Sequence, residues 1–159
     1  MIQIFAGTGR GKSSAAIGQA IQAATNGETV IILQFLKGIE DTEFIKKLEP
    51  EIRVMRFEKT EKDFQELSEL EKIEEVKNVR NGFNYAKKVL STAECDLLIM
   101  DEVLALVDMG IITDTDLIKA LSAKSNRVHV ILTGININKK IKEIADEITV
   151  LKKESTLTE

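Results

Sequence analysis

Ile2-Gln3-Ile4-Phe5-Ala6-Gly7-Thr8-Gly9-Arg10-Gly11-Lys12-Ser13-Ser14 joins a short apolar run to a glycine-rich turn and the start of an Ala-rich segment. From Ala6 to Ser13 it fits the phosphate-loop pattern, with Ala in place of the first Gly. Each part of that pattern has a physical reason. Glycines let successive backbone N–H groups turn inward around phosphate oxygens. A lysine reaches the outer phosphates, a hydroxyl holds Mg²⁺, and the following helix adds its positive N-terminal end. The expected nucleoside-triphosphate contacts are therefore Gly7, Thr8, Gly9, Arg10, Gly11, Lys12, Ser13 and Ser14. Lys12 is the charge-stabilising catalytic residue, and Ser13 is the first magnesium ligand. Arg10 is read both ways, as a phosphate contact or as a solvated side chain.

Working outward, β-type runs are expected at 2–6, 29–35, 52–57, 96–100 and 128–133, with a sixth at 148–151. Val30-Ile31-Ile32-Leu33 and Leu97-Leu98-Ile99-Met100 are continuously apolar, as suits strands covered on both faces of a parallel sheet. Helical patterns lie between the strands. Residues 12–25 end at Asn26-Gly27, a helix stop. From Leu67, apolar residues at 70, 73, 76, 79, 83, 86 and 90 keep spacings of three and four, which predicts one long amphipathic helix. Shorter helices are expected at 42–48, 113–123 and 138–144, and the single Pro50 falls in a helix-to-strand turn. Alternating strands and helices define a three-layer α/β domain, P-loop NTPase-like (RecA-like), with a mostly parallel central sheet. It is expected to occupy residues 1–153 as one unit, with 154–159 a frayed tail.

A second acidic corner closes the run Leu97–Met100, where Asp101 and Glu102 follow directly. In phosphate-loop proteins an acid at such a strand end meets Mg²⁺ or its water shell. Asp and Glu also favour the first turn of a helix, so both readings stand, and either acid could be the metal-side residue.

Composition narrows the classes. The chain has 159 residues with 22 basic and 26 acidic side chains, a net charge of −4. That balance argues against a nucleic-acid partner. Cys95 is the only cysteine and His129 the only histidine. An intrachain disulfide and a His- or Cys-rich metal site are thereby excluded. Cys95 reads as a small buried residue and His129 as a packed or edge strand residue. Residues 1–5 are too short for a signal-peptide core, and no apolar run approaches the ~20 residues of a membrane span. A cytoplasmic location is expected. Residues 58–77 hold eight acids and four bases, so their net of −4 equals that of the whole chain. The block reads as a solvated helix face, or as a mobile flap beside a site.

Taken in order, several segments resemble the ATP:corrinoid adenosyltransferases of the CobA/BtuR type. Gly9–Gly18 is similar to that family's loop and helix opening, and Gln34-Phe35-Leu36-Lys37-Gly38 to its segment after the second strand. Asp101-Glu102 with Gly110-Ile111-Ile112 resembles its acidic strand end and the helix beyond. Residues 128–134 and Ala145-Asp146 continue the match. The resemblance implies transfer of the 5′-deoxyadenosyl group of Mg-ATP to Co(I) of a reduced corrinoid, with release of triphosphate. The cofactor carries the difficult chemistry, so no protein nucleophile is needed. It also implies Phe57 and Phe64 as corrinoid-facing residues, a flavoprotein reductant as a partner, and a homodimer. Lys37-Gly38, at a strand's C-terminal end where ligands bind in open α/β sheets, is read both ways, as a turn or as a substrate contact in which Lys37 faces the corrinoid. Two alternatives remain at this level: a P-loop ATPase or kinase of the same fold, and a nucleotide-binding homologue without corrinoid activity.

Overall fold

A computed structural model describes residues 1–36, 43–60 and 62–154, with the backbone alone at Glu43. Lys37 and Gly38 lie outside the described residues, as do Glu61 and the tail beyond Glu154. Six strands form one sheet: β1 (Ile2–Ala6), β2 (Val30–Gln34), β3 (Ile52–Arg56), β4 (Leu97–Asp101), β5 (His129–Gly134) and β6 (Glu147–Val150). Their order is β3-β2-β4-β5-β1-β6, and every pairing is parallel. Where the sequence reads a mostly parallel sheet, the sheet is wholly parallel.

The helices are α1 (Lys12–Thr25), α2 (Glu43–Lys46), α3 (Glu69–Thr92), α4 (Val103–Asp108), α5 (Asp114–Ser122) and α6 (Lys139–Ile144). Strand residues alternate between the two faces with a period of two. Phe5, Val30, Ile32, Leu97, Ile99 and Ile131 pack with Ala16, Ile17 and Ala20 of α1 and Ile45 of α2. Ile4, Ile31, Leu33, Leu98, Met100, Val130 and Leu132 turn to the other face, against α3 to α6. Both faces of the central strands are covered, which is why the sequence shows apolar runs instead of alternation.

Differences from the sequence reading have local causes. Helix α3 begins at Glu69 because Ser68 caps it: its hydroxyl accepts from the Glu71 amide, and the Glu71 carboxylate accepts from the Ser68 amide. That reciprocal box fixes the first turn. For helix α4 the sequence offers only a helix start at Asp101-Glu102, without bounds. Val103, Leu104 and Leu106 are all buried, and its six residues are too few to show a period. Helix α2 is only four residues long. Strands β4 and β5 run one residue further than expected, to Asp101 and Gly134, which puts Asp101 within the sheet.

Candidate active site

The glycine-rich loop leaves β1 between two chain segments that fix its path. The Gly7 amide donates to the Ile135 carbonyl at 3.0 Å and the Gly9 amide to the Leu151 carbonyl at 2.9 Å, while Leu151 N donates back to the Ala6 carbonyl at 2.7 Å. The exits of β5 and β6 thus brace both sides of the turn. Glycine is required by the closeness of this approach: a Cβ on Gly7, whose φ is +112°, would stand 2.2 Å from the Leu151 oxygen. Gly11, in the left-handed region at φ 101°, sets the entry into α1. Lys12 Nζ donates to the Gly9 carbonyl at 2.9 Å, folding the cation back over the loop.

Helix α1 then carries Ser13 toward the sheet, where its hydroxyl donates to Asp101 Oδ1 at 2.8 Å. The same oxygen accepts from the Thr133 hydroxyl at 2.6 Å. Strand order explains the meeting: β5 lies between β1 and β4, so Thr133 bridges the loop strand and the acidic strand. The Thr133 hydroxyl also accepts from the Glu102 amide at 2.8 Å. Glu102 stands in the left-handed region at φ 63°, a costly conformation for a non-glycine residue. It turns the chain from β4 into α4 and leaves the Glu102 side chain on the cleft wall. Asp101 and Thr133 are buried, at 2% and 0% exposure.

The cleft has a volume of about 460 Å³ and is lined by Thr8, Gly9, Arg10, Gly11, Lys12, Ser13, Ser14 and Glu102. Gly7 supports it from below. All the loop residues named from the sequence therefore converge, with Arg10 exposed at the rim, and both acids of the corner join them in different ways. Asp101 is the buried partner of Ser13, whereas Glu102 faces the opening. Sequence reading gave Thr133 no role, although the signal was present: a hydroxyl residue closes the apolar run Val128–Leu132 just as Asp101 closes Leu97–Met100.

Of the three corrinoid-facing expectations, Phe57 and Phe64 lie elsewhere. Phe57 follows β3, which three strands separate from β1. Its ring stacks on Phe35, with centroids 5.8 Å apart at 21°, and packs against α3. Phe64 sits in a single 3₁₀ turn, Phe64–Glu66, and is half-buried against the same core. Lys37 falls outside the described residues. Within the acidic block most carboxylates are exposed, but Glu58 and Glu75 are buried. A wholly solvated face is therefore not what the structure contains.

Among the described residues neither the cysteine nor the histidine competes with the cleft. Burial pushes the Cys95 thiol up to about 12, so it stays protonated at neutral pH. Burial also lowers His129 below the usual histidine range, and it begins β5 at the opposite edge of the sheet. Among the described residues no three His, Cys, Asp or Glu side chains gather as a metal site, and no helix is long and apolar enough to cross a membrane.

A parallel sheet flanked by helices on both faces, with a glycine-rich turn running from its first strand into α1, defines a P-loop NTPase-like α/β protein. The chain belongs to the ATP:corrinoid adenosyltransferase BtuR/CobO/CobP family, whose model matches residues 1–157. A corrinoid adenosyltransferase of Escherichia coli strain K12 is 29% identical over 155 residues, covering 96% of this chain and 76% of the relative. The corrinoid adenosyltransferase CobA of Salmonella typhimurium is 28% identical over the same length, again 96% and 76%.

Proposed function

We propose that this chain moves the 5′-deoxyadenosyl group of ATP to Co(I) of a reduced corrinoid. The two electrons of Co(I) form the cobalt–carbon bond at C5′. The C5′–oxygen bond breaks, and its electron pair leaves with triphosphate. The observation that carries this reading is the family match over residues 1–157, supported by a cleft lined by the glycine-rich loop with Lys12 and Ser13.

Within that reading Lys12 moves from the Gly9 carbonyl to the triphosphate and neutralises the charge that builds as the bond breaks. Amides of the loop and the N-terminus of α1 add fixed partial positive charge at the same place. Ser13 Oγ and Asp101 Oδ1, with Glu102 on the wall, are hard oxygen donors of the kind Mg²⁺ takes, and these residues would hold it. When bound, the cation supplies further charge neutralisation on the phosphates. Arg10 at the rim is a further phosphate contact. Thr133 holds the Asp101 carboxylate and the Glu102 amide in register, so the two acids keep separate positions. Phe57, Phe64 and Lys37 form the corrinoid-facing side. That a protonated Cys95 and a distant His129 are the only soft nucleophiles agrees with chemistry carried by the corrinoid. A cytoplasmic homodimer of one domain over residues 1–153, served by a flavoprotein reductant, completes the proposal.

The test is an anaerobic assay with ATP and chemically reduced cobalamin. The expected result is loss of the Co(I) spectrum, a light-sensitive adenosylated product and intact triphosphate. ADP and phosphate as products would replace this reading with that of an ATPase or kinase. ATP binding without any change of the cobalt spectrum would replace it with that of a nucleotide-binding protein lacking transfer activity.

A further inference from the structure

Among the described residues Glu58 and Glu75 are the buried carboxylates of the acidic block, at 8% and 4% exposure. Glu58 is paired with Arg56 at 3.3 Å. Glu75 does something less common. Its Oε1 and Oε2 accept from one backbone amide, that of Lys59, at 3.1 and 3.3 Å. Burying a carboxylate costs far more than satisfying an amide with a carbonyl or water, so a fixed position of that amide is what the arrangement secures.

Seven residues along α3, two turns further on the same face, stands Gly82. A Cβ there would lie 2.4 Å from ring carbons of Phe57. The ring stacks on Phe35 as well. After its amide donates to the Gln34 carbonyl at 3.3 Å, Phe57 leaves the sheet, and the direction of the chain from there is set by α3. The ring is seated on Gly82 and Phe35, and the amide two residues on is held by Glu75.

We infer that Glu75 and Gly82 are positioning residues for the corrinoid side: they fix the Phe57–Lys59 segment so that it presents one geometry to the corrinoid. The inference rests on the proposed reading of Phe57 as corrinoid-facing. It assigns a function to two residues that make no contact with the glycine-rich cleft. Their substitution therefore separates the two substrates kinetically.

The experiment measures KM for cob(I)alamin and for ATP separately, anaerobically, on folded variants checked by circular dichroism. Glu75→Ala is expected to raise KM for cob(I)alamin on the order of tenfold, the size of losing one hydrogen bond to a charged group, while KM for ATP stays put. Gly82→Ala is expected to raise the same constant, and Glu75→Gln, which keeps an acceptor oxygen, to restore it. Both constants rising together, or neither moving, would overturn the inference. Phe57→Ala distinguishes the levels. A raised cob(I)alamin KM in Phe57→Ala with silent Glu75→Ala and Gly82→Ala removes the positioning role alone. An unchanged KM in Phe57→Ala removes the corrinoid-facing reading of Phe57 and the inference with it. Should Glu75→Ala fail to fold, the two constants of Gly82→Ala decide.

Discussion

The glycine-rich loop and the Phe57–Lys59 segment both leave the same edge of the sheet, at the C-terminal ends of β1 and β3, yet they are held in opposite ways. The loop is fixed largely by backbone: amides of Gly7 and Gly9 on carbonyls of Ile135 and Leu151, with glycines where nothing larger fits. The Phe57 segment is fixed by side chains delivered from α3, a carboxylate from Glu75 and a vacant Cβ position at Gly82. A phosphate cradle needs its amides and therefore tolerates little sequence variation within the loop. A segment held by side chains can be re-aimed by changing residues sixteen or more positions away. In a transferase with two substrates, that separation lets recognition of one be altered while the other is left intact.

The largest expected effect lies on the loop side. Lys12→Ala removes the only loop amine and should lower kcat/KM for ATP on the order of 10²–10³-fold. Retained ATP affinity in that variant, measured by calorimetry, would detach the cleft from nucleotide binding. Next comes Gly9→Ala. The new Cβ would stand 2.8 to 3.0 Å from backbone atoms of Leu151 and Lys152, so the loop must move away from β6. A misplacement of that kind costs on the order of 10²-fold in ATP turnover, with melting little changed. Gly18→Ala in α1 is the control, because nothing lies within 4 Å of its added methyl. If both glycine variants behave alike, the bracing of the loop by Leu151 is not what fixes it.

Thr133→Val tests the junction between the acids and the loop. It removes the hydroxyl that joins Asp101 Oδ1 to the Glu102 amide while preserving shape. Leaving those buried groups without it should cost about 1–3 kcal/mol. That is a fall in melting temperature of roughly 2–4 °C for each kcal/mol at this chain length. The accompanying loss should fall on ATP turnover and not on the corrinoid constant. An unchanged melting temperature would show that the Thr133 hydroxyl is not what holds Asp101.

The same contrast explains how much could be read from sequence. The loop side was legible because its determinants are contiguous: a strand, three spaced glycines, Lys12 and Ser13 follow one another, and Asp101 ends an apolar run. Strand order was not legible, and without it Thr133 had no reason to join the site. The Phe57 side was illegible for a different reason. Glu75 is one of eight acids in a block whose average behaviour is solvation, and only the fold distinguishes it from Glu74 beside it. Helix α4 was legible only as a start at Asp101-Glu102, because six residues are too few to show a period. The long period of α3 was plain, but periodicity does not say how much of the apolar stripe is covered. Leu70 and Ile73, at 81% and 68% exposure, lie beyond the reach of the sheet.

That outlying first turn of α3 supplies the smallest effect and the last contrast. Hydrogen bonds from the Ser68 amide and hydroxyl, helped by Lys62 at 3.5 Å, hold the Glu71 carboxyl below its ordinary range. A carboxyl whose folded-state pKa is depressed binds fewer protons when folded than when unfolded. Its contribution to stability is therefore present above the unfolded carboxylate pKa and is lost as pH falls through the folded value. Because Glu71 is fully exposed, screening keeps that contribution small. Ser68→Ala removes the hydroxyl but keeps the amide that donates to Glu71, so it should weaken this part of the acid limb of the stability curve without abolishing it, with no change in slope above pH 6. In amide hydrogen exchange the loosening should appear at Lys72 and Ile73 and leave Val79 onward protected. Loosening that spread along α3 to Gly82 would mean the cap and the seat of Phe57 form one cooperative unit. Loosening that stops before Glu75 leaves the grip on Lys59 standing independently of the helix end.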